Sequence, residues 1–268
     1  MRYFLFLTVP ALLFGAAQPQ YLLTRPATPS SLAVPLAAPG AVLSNAARQA
    51  FLARTNLGKL WQHHAQSGTE DVLNGCFGYD GRRLEFVFTT VQADAKSPGR
   101  YLVAGKFRCY GDVTPFRGSI ELQQVQRLTT DLAAPTEITE AKAPTYCATG
   151  SFALQATSQR GLGGQFNGRL ALDFTLTPSN QARLAPYTTN PATRNGGLLF
   201  DGQWRENATT ETTVPAIWKQ GIAVTQQVLS RFQIGERDVF INPQYARVGW
   251  DNFWKNEEWW AEKPVARR

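Results

Sequence analysis

Few side chains in this sequence could do chemistry, and their spacing is loose. Carboxylates come first, because glycoside hydrolysis asks for two of them flanking a scissile bond and for no sequence motif. Asp201, Glu206, Glu236 and Asp238 are the candidates. Asp201 alternates with Phe200, Gly202 and Trp204, so an apolar interior would turn it to solvent; Glu236 and Asp238 flank a cation of their own, Arg237. Both patterns read as solvated charge before they read as an acid/base pair. The only two histidines, His63 and His64, are adjacent and would not face one another on a helix. No closely spaced cysteine pair stands beside them to complete a metal site. No G-x-S-x-G, G-x-G-x-x-G, phosphate-binding loop, H-E-x-x-H or EF-hand loop appears. The residue types therefore predict no catalytic residue, no metal and no cofactor.

Four tryptophans, Trp204, Trp218, Trp250 and Trp254, are the candidate ligand-binding residues, as an aromatic platform for a sugar or an apolar molecule. Burial competes with that role, since rings of this size contribute most by leaving water. Cys76, Cys109 and Cys147 allow one disulfide with a thiol left over, or three buried small hydrophobes; the spacing leaves both open.

The elements that must position these residues are strands. Phe-x-Gly-x-apolar recurs at Phe116–Ile120, Phe166–Leu170 and Phe200–Trp204, and the first two units follow Tyr-x-x-x-Gly-x-Phe at Tyr101–Phe107 and Tyr146–Phe152. Phe and Gly two residues apart share a face, so the glycine admits a neighbouring ring and relaxes the backbone for curvature. Alternation over residues 84–91, 101–109, 116–123, 146–157, 166–177 and 197–206, with further strands around 212–218 and 232–241, predicts an all-β fold. It is an antiparallel meander of about eight or nine strands closing into a lipocalin-like barrel, or else a β-sandwich. Alternation alone does not tell a polar lumen from a polar exterior. Ser44 predicts the N-cap of a helix over residues 45–64, packed on the outside or one end of the β domain. Trp250, Phe253 and Trp254, at i, i+3 and i+4, predict a short aromatic helix near the C-terminus.

That C-terminal stretch, with Asn242, Tyr245, Gly249 and Trp250 as Asn-x-x-Tyr-x-x-x-Gly-Trp and the Phe-x-Gly-x-Trp unit at Phe200–Trp204 upstream, resembles a group of uncharacterised exported bacterial proteins. The likeness covers the last two-thirds of the chain. It implies export and no particular activity.

The N-terminus points the same way. Met1-Arg2, an apolar run from Tyr3 to Phe14 and Gly15-Ala16-Ala17 form a secretory leader cleaved near Ala17, too short for a comfortable membrane span. The expected organisation is a signal peptide at 1–17, a Pro/Ala-rich linker at 18–43, a helix at 44–66 and one β domain at 67–268. The 268 residues carry 27 basic and 20 acidic side chains, +7 overall. That excess is spread along the chain rather than gathered in a stripe, which argues against nucleic acid as a partner. No later run is apolar enough for a transmembrane helix. The sequence thus reads as an exported, non-enzymatic binding or structural module, periplasmic or extracellular. A small apolar ligand is one expected occupant; a glycan-binding or glycan-hydrolysing sandwich is the alternative.

Overall fold

Alternating strands must satisfy their edges, and here they do so by meeting. The computed structural model describes residues 40–64, 71–129, 132–133, 144–158, 162–177, 179–220, 233–234, 239–240, 243–251, 253 and 257–261. The expected leader, most of the linker, Glu236, Asp238, Asn242 and Trp254 lie outside them. Strands β1 (Leu73–Phe77), β2 (Arg82–Ala93), β3 (Arg100–Cys109), β4 (Asp112–Arg127), β5 (Thr145–Ala156) and β6 (Gly164–Leu176) pair antiparallel in chain order. The short β7 (Ala182–Leu184) extends only the end of β6. Strand β8 (Leu198–Arg205) pairs with β6, β9 (Val214–Lys219) with β8, and β9 with β1. The circuit is an eight-stranded up-and-down barrel of the lipocalin type, which sets aside the sandwich.

The closing strand differs from the one expected. Around residues 232–241 the chain forms β10 (Gln233–Ile234) and β11 (Val239–Phe240), a separate two-stranded pair. Closure falls instead to β1, whose Leu-Asn-Gly-Cys-Phe sequence carries little strand propensity of its own. Across the seam, Gly75 stands opposite Trp218. A Cβ on Gly75 would meet the Trp218 Cα at 2.6 Å and the Ile217 carbonyl oxygen closer still. The missing side chain is what lets the two strands come together.

Inside, the parity expected from sequence holds. Phe86, Phe88, Phe107, Phe116, Phe166, Phe200 and Trp218 are all buried in one cluster. Trp218 stacks on Phe86 at 4.1 Å between centroids and on Phe200 at 5.2 Å. The rings of Phe152 and Phe166 meet the same indole edge-on, at 5.2 and 5.9 Å. The paired Gly168 and Gly202 show the purpose of the repeat: a Cβ on either would come within 2.9 Å of the Phe152 ring tip. The barrel interior is a packed aromatic core, while Arg117, Glu121, Arg169 and Asp201 stand exposed on its outer wall.

Helix α1 (Asn45–Arg54) begins where expected, with the Ala47 N–H donating to Ser44 Oγ. It is shorter than expected. It ends at Thr55, and residues 57–60 form a 3-10 turn instead of continuing to His64. A Cβ on Gly58 would meet Val91 and Tyr101, so the chain there takes a path against the barrel that a straight helix would not follow. Phe51 packs on Tyr146 and Phe174, Trp61 meets the Tyr101 ring edge-on at 5.0 Å, and the Leu57 N–H donates to the Tyr101 hydroxyl. The segment plugs one end of the barrel. Near the C-terminus the helical segment is residues 243–250, kinked at Gly249 with φ +91, and so ends at the start of the Trp250, Phe253 and Trp254 stretch where a helix was expected; Asp251 and Phe253 lie in turns.

All three cysteines are free and buried. Cys76 on β1 and Cys109 on β3 are separated by β2, about 10 Å at normal strand spacing. That is beyond the reach of a disulfide. Cys147 lies on β5, with β4 between it and β3. Of the two readings that the spacing left open, the structure has the three buried thiols and not the disulfide. Burial pushes the Cys76 and Cys109 thiols up to about 12, and Cys147 well above its usual range. A thiol titration should find no fast-reacting group in the native protein and three per chain after denaturation without reductant. A count of one would mean a disulfide.

Candidate functional site

Positions that point outward on β1, β2 and β3 should be wet, yet Arg83, Glu85, Val87 and Arg108 are buried. The C-terminal segment covers them. Trp250 is fully buried and donates its indole N–H to the Gly81 carbonyl at 2.8 Å. Trp260 packs with Val72 and Val87, and its carbonyl accepts from Lys106 Nζ at 2.8 Å. Arg83 lies over the Phe253 ring at 5.0 Å, and Arg108 over Trp259 at 5.2 Å.

Under this cover Glu85 ties the two cations together. Its Oε1 accepts from Arg83 Nη2 at 2.7 Å and Arg108 Nη2 at 3.1 Å; its Oε2 accepts from Arg108 Nε at 2.6 Å. The Arg108 pair is bidentate, the geometry that fixes a guanidinium plane best. Arg108 Nη1 also donates to Glu257 at 3.0 Å, whose side chain remains 48% exposed. Burial lowers Arg83 to about 10 against the opposing pull of Glu85. For Arg108 burial acts downward too, but Glu85 and Glu257 outweigh it and the pKa rises. Both guanidiniums stay charged at neutral pH.

Beside the network opens a cavity of about 290 Å³, lined by Arg83, Glu85, Arg108, Tyr110, Gly249 and Asp251, with Gly111 and Ala246. Its lip is the two-residue turn between β3 and β4. There Tyr110 and Gly111 have φ of +52 and +92, and Cys109 pairs with Asp112. That is a type I′ turn, whose first position favours Asn, Asp or Gly.

A second outward cluster is closed rather than open. Asp173 on β6 is buried and accepts from the Thr188 and Thr193 hydroxyls at 2.6 Å each and from Asn190 Nδ2 at 2.7 Å. Lys219 Nζ donates to the Thr193 and Arg194 carbonyls at 2.7 and 2.8 Å. Burial raises the Asp173 pKa against those three bonds and lowers Lys219 to about 8. Together they clamp the 185–197 loop onto the wall. Every described donor there is turned to its neighbours, so the cluster is a fastening.

The tryptophans expected as one platform are dispersed. Trp218 is in the core, Trp250 under the C-terminal cover, and Trp204 at a barrel end, donating to the Gly163 carbonyl and meeting Phe77 edge-on. Asp201 is 54% exposed and pairs with Arg194 at 3.1 Å, and Glu206 is exposed beyond β8. His64 pairs with Asp71, and His63 packs on Trp260. Among the described residues no three His, Cys, Asp or Glu side chains gather to hold a metal ion. No helix among them is long and apolar enough to cross a membrane.

Sequence reasoning missed Arg83, Glu85, Arg108 and Tyr110. One signal was present: Val87 occupies an outward position between inward Phe86 and Phe88, so part of β2 is apolar on both faces and needs a cover. No protein-family model, curated protein or solved structure matches this chain.

Removing a partner of a buried ion costs far more than removing a surface one. Glu85→Ala should destabilise the protein by about 3–5 kcal/mol in urea unfolding. Asp201→Ala should cost about 0–1 kcal/mol. Equal losses would mean that the Glu85 network is not buried.

Proposed function

We propose that the chain is an exported, non-enzymatic binding module. The barrel serves as a rigid frame, and binding takes place in the polar cavity beneath the C-terminal segment. The observation that carries the reading is the contrast between the two faces of β2 and β3. Their inner face is packed with rings, and their outer face holds charged groups in a fixed arrangement beside open space. A volume of about 290 Å³ is close to the lower end for small-molecule sites. Groups held by short ion pairs lose little freedom when a ligand arrives, which favours affinity. Glu85 commits both oxygens to guanidiniums, as a positioning group does and a general acid or base does not. Export is supported by the leader at 1–17 with cleavage near Ala17. The apolar ligand expected from the sequence would have to displace core rings.

The test is amide NMR of the mature chain titrated with a library of small polar fragments. Shifts should gather at Tyr110, Gly111, Gly249 and Asp251. Shifts on the inner wall at Gly105, Gly118 and Gly168 with saturable uptake of an apolar fluorescent probe would contradict the reading. So would a library without a single binder.

A further inference from the structure

We infer that the outer-face cavity takes a neutral saccharide unit, with the Tyr110 ring as its stacking surface; this rests on the binding reading above. Charge decides the ligand class. In a chain of +7 with two arginines in a pocket, an anion is the default expectation. The cavity does not offer one a surplus of positive charge. Arg83 and Arg108 are matched by Glu85 and Asp251 in the lining, and Glu257 adds a further negative charge on Arg108. An incoming carboxylate or phosphate would compete with three carboxylates already there; an ammonium group would face two fixed guanidiniums. What remains favourable is a ligand without net charge that both donates and accepts. Hydroxyl groups do both, and the cavity presents guanidinium N–H donors beside carboxylate acceptors. Asp251 makes no ion pair among the described residues, so its carboxylate is available to accept from a ligand.

The second observation is the lip. Tyr110 is 60% exposed, against the buried tyrosines Tyr101 and Tyr245. It stands at φ +52, where a side chain with a Cβ costs about 1–2 kcal/mol and asparagine or glycine would relieve the strain. A bare aromatic ring held at that cost on the edge of a cavity is placed to be used. The apolar C–H face of a pyranose can cover such a ring while its hydroxyls reach the polar wall. The cavity has room for one sugar ring, with the open side left for the next in a chain.

The experiment is saturation-transfer NMR on the full mature chain. The neutral probes are methyl glucosides, galactosides and mannosides, N-acetylglucosamine and the common disaccharides. Acetate, phosphate and methylammonium are the charged probes. At least one neutral sugar should receive saturation and shift the Tyr110 and Gly249 amides. Tyr110→Asn removes the ring while suiting the left-handed turn, and should weaken that sugar about tenfold. Asp251→Asn should weaken it as well. Tyr187→Ala, at a tyrosine 77% exposed that does not line the cavity, should leave it unchanged. If only charged probes shift those amides, the saccharide assignment is overturned and the binding module stands. If no probe shifts them, both fail. A sugar that binds Tyr110→Asn as well as the parent also overturns the assignment.

Discussion

The stack of Trp218 between Phe86 and Phe200 is the contact on which the rest of the molecule depends. It joins β2, β8 and β9 through the middle of the barrel, with interplanar angles of 13 and 9 degrees. Trp218 also sits on the seam, opposite Gly75 of the short β1. A five-residue strand gains little from its own propensity, so what holds β1 in place is paired backbone on both sides and the rings behind it. Closure and core are therefore one event. Without the indole, the seam would lose its backing; without the seam, the indole would face water.

A filled interior moves the question of function to the outer wall. Two parts of that wall are covered, and they are built for different ends. Over β6 and β9 the 185–197 loop brings three side-chain donors to Asp173 and two carbonyls to Lys219. Over β2 and β3 the C-terminal segment leaves space between itself and the wall. There the buried arginines are fixed by Glu85 and by aromatic rings, at the edge of that space. A desolvated cation with a bidentate partner is costly to assemble, and the binding reading proposed above takes that cost, beside an open cavity, as preorganisation.

The barrel was legible because strand alternation is a local pattern. Phe116, Phe166 and Phe200 face inward as their spacing from Gly118, Gly168 and Gly202 requires, and the closed meander followed from strand count and edge chemistry. What was not legible depends on contacts distant in sequence. Leu73–Phe77 becomes a strand through its neighbours β2 and β9, not through its own residues. Glu85 and Asp173 stand at outward positions where parity predicts water; the distant C-terminal segment buries the first and the 185–197 loop the second. The tryptophans were visible as aromatic mass, but Trp218 and Trp250 lie on opposite sides of the same wall. A single exposed Tyr110 carried less weight in the sequence than four tryptophans, although it is the ring that lines the cavity.

The central claim is that the sheet closes, with β1 and β9 as an interior pair rather than two edges. Amide hydrogen exchange measures this directly. The seam amides of Asn74, Cys76, Ile217 and Lys219 should exchange as slowly as those of the long β4–β5 pair, because all open only when the barrel does. Fast exchange on β1 and β9 with β2 to β6 still protected would mean an open sheet, and would contradict the account.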